Sequence, residues 1–303
     1  MPTMGAAHMK IYPMPSIEMD ACYKAIETNR CPSGGFGEQP GGMYRPDCTA
    51  WAILALARNG LNPPLVDSAR DSLRTGQLPE GAVAYPGAPA VYWPTPLAVM
   101  AWHGSPKHRD AQGRALGFLL ETSGHHWKMD PDAPTAHDPS LRGWPWISGT
   151  HSFVETTALC MLALEMTGNS RHPRFGEAAR MILDRQLPHG GWNYGNTLVY
   201  GKELFPFKET TGIALAALGG HVELKDVERS LLYLREEIKD CRTPLSLGWA
   251  LFGLGAWGER PREASAWIEE SLREQAKFGR YRTSLLALLA LAHSCQGNFR
   301  KLA

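Results

Sequence analysis

The chain has almost no net charge. Its 31 lysines and arginines meet 30 aspartates and glutamates, a formal +1. It therefore lacks the basic excess with which nucleic acids or strongly anionic membranes are recognised. It has no apolar run long enough to span a bilayer. The first residues carry neither the basic region nor the continuous apolar stretch of a secretory signal. Gly5-Ala6-Ala7-His8-Met9 reads as a vector-derived tail, so residues 1–9 are set aside and 10–303 are read as one domain. Cysteine is sparse. The six (Cys22, Cys31, Cys48, Cys160, Cys241 and Cys295) form no C-x-x-C pair and are expected to be reduced thiols of a cytoplasmic protein. Also missing are an Asp-Asp-x-x-Asp magnesium run, a phosphate-binding P-loop, a dinucleotide fingerprint and a G-x-S-x-G elbow.

What is present is helical and repetitive. Amphipathic helices are predicted over 16–29, 66–75, 108–121, 175–186, 224–239 and 261–276. Each precedes a more uniformly apolar helix, over 47–58, 97–102, 153–166, 210–218, 245–256 and 283–293. A helix apolar on every side must be surrounded by protein, whereas a helix with one apolar stripe lies outside. Six such pairs predict an all-α fold, an (α/α)6 toroid with an inner apolar ring and an outer amphipathic one. An open solenoid is the competing arrangement. The long, aromatic loops decide for the closed ring, because they fall on one side only, before the apolar helices. The longest, 122–150, holds His125, His126, Trp127, His137, Trp144 and Trp146, and loops of that length in a compact chain are usually functional.

Three apolar helices open alike, with an acid followed by threonine: Pro46-Asp47-Cys48-Thr49, Val154-Glu155-Thr156-Thr157 and Lys208-Glu209-Thr210-Thr211. A first-turn carboxylate can cap the helix and answer its dipole. Three at the same end of three inner helices would also converge on one mouth. There, mutual repulsion and burial raise at least one carboxyl pKa and supply a general acid. Both readings stand for Asp47, Glu155 and Glu209.

The run Gln186-Leu187-Pro188-His189-Gly190-Gly191-Trp192 fits the Q-x(2–5)-G-x-W repeat of squalene and oxidosqualene cyclases. Gln275 to Tyr281 is a degenerate copy, Gln77 to Val83 a weaker one, and Asn29 to Phe36 keeps only the glycine and an aromatic. Repetition at the same point of successive helix pairs makes the chain resemble the terpenoid cyclase/protein prenyltransferase superfamily over nearly its whole length. In that repeat the glutamine is expected to tie the outer helix's end to the next inner helix, with the aromatic stacked on it.

The resemblance implies two chemistries. Class II cyclases carry Asp-x-Asp-Asp-Thr-Ala, which lies over Arg45-Pro46-Asp47-Cys48-Thr49-Ala50. Asp47 falls on the middle aspartate, the family's proton donor, and Thr49 and Ala50 match. Arg45 and Cys48 stand at the other two acid positions. On this reading an isoprenoid substrate is cyclised by acid in the central cavity, with Glu155 and Glu209 as further carboxylates and no cofactor required. Arg45, Lys208 and Arg282 are candidates for an anionic head group, with magnesium if that group is a diphosphate. Trp93, Trp144, Trp146, Trp192, Tyr194 and Tyr281 are candidates for lining the cavity and stabilising a carbocation, with Trp192 also read as structural stacking. Cys48 and His151 complete the substrate-binding set. Prenyltransferase β subunits instead hold zinc, and the candidate set here is Asp47 and Cys48 with His151 or His189. A non-catalytic toroid binding a lipid or a protein is the third reading. The expected partner is a small hydrophobic substrate, with no nucleic acid and peripheral membrane contact at most, for a monomer or homodimer.

Overall fold

The computed structural model describes residues 16–130, 132–133 and 135–302, so the N-terminal tail set aside above lies outside it. Helices α1 (Ile17–Thr28), α3 (Pro63–Thr75), α5 (Arg109–Glu121), α7 (Pro173–Asp184), α9 (Leu224–Glu237) and α11 (Ala264–Arg273) form an outer layer. Helices α2 (Pro46–Arg58), α4 (Thr95–Trp102), α6 (Val154–Met166), α8 (Lys208–Leu218), α10 (Pro244–Gly255) and α13 (Thr283–Ser294) form the inner ring; α12 (Gln275–Phe278) is a single turn between α11 and α13. Each inner helix packs on the next, and α13 packs back on α2. The ring is closed, as an α/α toroid requires and an open solenoid does not allow.

The hairpins are offset from the pairing expected from sequence order. Each inner helix packs chiefly on the outer helix that follows it, α2 on α3, α4 on α5, α6 on α7 and α8 on α9. Short turns such as Asn59–Asn62 join these pairs. The orphan first helix, α1, packs on the last inner helix, α13, and so the two ends of the chain fasten the ring. The predicted outer helix over 261–276 is broken at Glu274 into α11 and α12. A two-residue ribbon, β1 (Leu198–Val199) with β2 (Lys202–Glu203), sits in the loop before α8 and leaves the fold class unchanged.

The recurring threonine holds each long loop to its inner helix. The backbone N–H groups of Phe36, Trp144 and Trp192 donate to the hydroxyls of Thr49, Thr157 and Thr211 at 2.9, 3.0 and 2.9 Å. All three threonines are fully buried. The glycine before each aromatic is needed for this approach: a Cβ on Gly143 would overlap the Thr157 hydroxyl. The indoles of Trp144 and Trp192 then reach the other way. They donate to the last-turn carbonyls of the preceding outer helices, at Leu119 (2.9 Å) and Ile182 (2.7 Å). Outer helix, loop and next inner helix are thus linked by the tryptophan and not by the glutamine. Gln186 instead reaches Ser230 on the next outer helix at 2.7 Å, and Gln77 the Ala111 carbonyl on α5 at 2.9 Å.

Glycine also sets how closely the ring packs. Gly212 on α8 faces the Trp249 carbonyl of α10, where any Cβ would overlap it, so the two backbones touch directly. The far end of the barrel is sealed by the C-terminal turn Phe299–Leu302. Phe299 stacks on Trp249 (5.9 Å, 22°) and meets Trp51 edge-on at 6.5 Å. Arg300 and His221 both engage Glu165, at 2.6 and 3.1 Å, on that side.

The threonine pin carries a measurable load. Replacing Thr211 by the isosteric valine leaves the Trp192 amide buried and unpaired, at an expected cost of about 1–3 kcal/mol. Thr211→Ser should retain most of that stability. Urea unfolding of the two variants checks this, and equal destabilisation by both would show that the methyl, not the hydroxyl, matters.

Candidate functional site

The inner helices all enter the ring from the side of the long loops, and their first turns surround the mouth. Pro46, Val154 and Lys208 are the first helical residues of α2, α6 and α8, with Arg45, Phe153 and Phe207 as the N-caps. Asp47, Glu155 and Glu209 therefore follow one residue inside, and none of them caps its helix. Each turns inward. Together they line a cavity of about 180 Å³ with Trp51, Trp93, Trp146, Leu159, Ile213, Leu245, Trp249, Ser284, Leu285 and Leu288. The pattern is helical. Residues one turn below each first-turn position share its face, giving Asp47 with Trp51, Glu155 with Leu159, Glu209 with Ile213, Leu245 with Trp249 and Ser284 with Leu288. Trp51 and Trp249 were not singled out from sequence, although the i, i+4 relation to the mouth residues was there to find them.

The three carboxylates meet different surroundings. Asp47 is buried and held bidentately by Arg45, with both contacts at 3.1 Å. Arg45 also donates to the Tyr85 hydroxyl at 2.7 Å and pairs with Glu38 at 2.9 Å. Burial and the neighbouring Asp47 push the Tyr85 phenol up, so it remains a neutral hydroxyl. Glu209 accepts from the Ser246 hydroxyl at 2.7 Å. Glu155 has no cationic partner. Burial pushes its pKa up to about 7; the Thr210 hydroxyl, 3.4 Å away, opposes this and the Glu209 charge adds to it. Burial thus disposes Glu155 to hold its proton near neutrality.

The remaining candidates divide. Trp93 and Trp146 lie on the cavity, edge to face at 5.0 Å, with Tyr85 6.1 Å from Trp93. Trp144 and Trp192 do not reach it. They are fully buried links of the ring, and Arg174 covers the Trp144 face at 4.3 Å. Tyr281 does the same work in the last repeat: its amide donates to Gln275 and its hydroxyl to the Ser271 carbonyl, each at 2.9 Å. Cys48 points into the packing, where burial pushes its thiol up to about 12, and it does not line the cavity. Tyr194 and His151 are exposed at the rim. Lys208 pairs with Glu237 at 2.6 Å beside a separate cleft of about 270 Å³ that shares Glu209 with the cavity. Arg282 pairs with Glu38 at 3.1 Å. Arg45, Lys208 and Arg282 thus each have a carboxylate partner, and no unpaired cation among them faces an anionic head group. The zinc set is not assembled either. His189 is exposed and bound to Glu203, and no group of three His, Cys, Asp or Glu suited to a metal occurs among the described residues.

The ring and its single mouth define the α/α toroid class, and solved structures share it. A protein from Actinoplanes aligns with a TM-score of 0.58 at 15% identity, covering 91% of this chain and 99% of its own. The type II terpene cyclase MstE from Scytonema, in a variant bound to geranylgeranyl dihydroxybenzoate, aligns at 0.56 and 13%, covering 94% and 97%. An inactive α-1,6-mannanase variant from Salegentibacter sp. HEL1_6, bound to α-1,6-mannotriose, aligns at 0.59 and 10%, covering 91% and 97%. No family model matches the chain, and no curated protein does. At these identities the likeness shows the fold, and that fold serves both a terpene cyclase and a glycan hydrolase.

The raised Glu155 pKa has a consequence for stability. In the unfolded chain this carboxyl titrates near 4.5, and in the native chain near 7. Between those values the native state holds a proton that the unfolded state has lost, so stability falls as pH rises through this window. Above it the loss is complete, up to about 3 kcal/mol at ~1.36 kcal/mol per unit. Glu155→Gln should therefore be more stable than the wild type at pH 8, with the gain vanishing below about pH 4.5. Urea midpoints across that range test it, and a pH-independent difference would contradict the assignment.

Proposed function

We propose that the protein is an acid-initiated cyclase of the terpene cyclase type, acting on a small isoprenoid whose reacting end enters the central cavity. The observation that carries this reading is a carboxyl without a cationic partner, its pKa pushed up to about 7 by burial, on the wall of a cavity lined, besides the acids and Ser284, by indole and aliphatic side chains. Glu155 gives its proton to an alkene carbon: the O–H bond breaks, a C–H bond forms from the π electrons, and a carbocation is left on the adjacent, more substituted carbon. An internal alkene attacks that centre and closes the ring. The final proton returns to a carboxylate of the cavity, so the sequence needs no oxidant or reductant. Trp51, Trp93, Trp146 and Trp249 place indoles on the cavity wall beside the cation, and Glu209 adds negative charge. Asp47, the acid position implied by the family motif, is tied to Arg45, and in this reading it orders the mouth through Arg45, Tyr85 and Glu38. The cavity is smaller than the ~300–1,000 Å³ of drug-sized pockets, which favours a short chain over a triterpene.

Glycoside cleavage is the second reading. Neighbouring carboxyls with unlike protonation are what such chemistry uses, and a mannanase shares the fold. The lining speaks against it, because beside the carboxylates Ser284 is the one neutral polar side chain offered to a hydroxyl-rich sugar.

Product analysis over prenyl alcohols and diphosphates of increasing length, with squalene and an α-mannoside, decides between them. Cyclic products are expected, with activity falling as pH rises through about 7 because the protonated donor is consumed. Glu155→Gln should lower turnover by about 10²–10⁴, and Asp47→Asn by less. Turnover insensitive to Glu155→Gln, or sugar release alone, would remove this reading.

The mouth also bears an apolar fringe. Met43, Trp127, Ile147, Tyr200, Phe205 and Phe278 are exposed on its loops. We read this as peripheral contact with a lipid surface that delivers an apolar substrate. Flotation with zwitterionic liposomes should recover the protein, and the double substitution Tyr200→Ser, Phe205→Ser should reduce recovery severalfold; unchanged recovery would refute the contact.

A further inference from the structure

The cavity carries an excess of negative charge. Its lining includes Asp47, Glu155 and Glu209, and no lysine, arginine or histidine. One guanidinium, Arg45, reaches in to Asp47 and is shared with Glu38 outside. Glu209 is satisfied by a neutral hydroxyl, and Glu155 by another. Four indoles, Trp51, Trp93, Trp146 and Trp249, share the walls with leucine and isoleucine side chains and Ser284. A box of aromatic faces with unbalanced carboxylates attracts one chemical class above others, a compact organic cation whose charge is spread over alkyl groups. Such a cation gains from every wall without needing directed hydrogen bonds, which this lining hardly offers. The modest volume of about 180 Å³ suits a compact group better than a long chain.

We infer that the resting cavity is a binding site for small quaternary ammonium compounds. The inference rests on the cavity described above but not on turnover, and it holds whether or not the protein cyclises anything. Binding is coupled to the ionisation of Glu155, since a cation at its side favours the carboxylate. The charged and titratable groups facing Glu155 are Glu209 on α8, Asp47 on α2 with its Arg45, and the Tyr194 phenol in the loop before α8. Helix α4 contributes none. On α7, behind α6, Arg174 is paired with Glu177. Glu155 and Glu209 are both half-buried and both lack a charged partner in this set, and the proton the ligand displaces is the one that burial favours on Glu155.

Isothermal titration of the full chain with tetramethylammonium and choline, beside the neutral isostere 3,3-dimethylbutan-1-ol, tests this. The cations should bind at least tenfold more tightly than the alcohol. Their affinity should rise about tenfold from pH 6 to pH 8, as the ionised fraction of a group titrating near 7 grows from about one tenth to about nine tenths. Glu155→Gln should abolish that pH dependence. Trp93→Leu and Trp146→Leu, on loops outside the helical ring, should each weaken binding severalfold while the circular dichroism spectrum is unchanged. Equal binding of the alcohol, a pH-independent affinity in the wild type, or full affinity in the tryptophan variants would overturn the inference. Cation binding without any product in the cyclisation assay would refute the cyclase reading alone, and product without cation binding would refute this one alone.

Discussion

A hydroxyl buried between two backbones fixes where everything else in this ring can go. Thr49, Thr157 and Thr211 each accept the amide of an aromatic within the long loop that precedes its helix. The pin cannot slip by one residue without leaving an amide unpaired in the core. Because it holds the first turn of an inner helix, it also fixes the residue two positions earlier, which is the acid. The same tryptophan that is pinned from the inner side is anchored through its indole to the outer helix before it. One side chain thereby sets the distance between layers and the height of a carboxylate at the mouth. The second repeat shows the pin without the acid: Thr95 accepts the Val83 amide at 3.0 Å, and no carboxylate precedes it. The pin is architectural, and the acids are an addition to it.

That addition is energetically unequal. Asp47 enters the cavity with its own guanidinium, and such a pair recovers much of what burial of its charge costs. Glu155 enters without one, so burial acts on it unopposed by any cation and the neutral form is favoured. The result is a cavity in which one carboxyl group is paired with a guanidinium, one is bound by a hydroxyl, and Glu155 has its pKa raised by burial. At the far end Phe299 packs against Trp249 and Trp51.

Structural relatives with this fold handle a prenylated aromatic acid in one case and a mannan oligosaccharide in another. What distinguishes such toroids is the population of the first two turns of each inner helix, since those positions face the hole. Here an acid stands over an indole or aliphatic side chain on α2, α6 and α8, with Leu245 over Trp249 on α10 and Ser284 over Leu288 on α13. That composition suits positive charge delocalised on carbon, in a reacting chain or in a bound ammonium group, better than a dense array of hydroxyls.

Much of this was legible along the chain. Alternating amphipathic and apolar helices defined the two layers, glycine and tryptophan marked the loop ends, and the repeated acid-plus-threonine placed three carboxylates at three helix entrances. Local periodicity determines these features, because the burial of a helix face and the conformational needs of a turn are short-range properties. Tertiary structure alone decided which side chains share the cavity. Trp144 looks like a lining residue in sequence and is a structural link, as Trp192 is in keeping with its stacking reading, while Trp51 and Trp249 form walls one helical turn below the mouth positions. It also decided that Arg45 folds back onto Asp47 and leaves Glu155 unpaired. Protonation and partnership depend on what lies across the ring, over sequence separations of tens to hundreds of residues, and no local pattern carries that information.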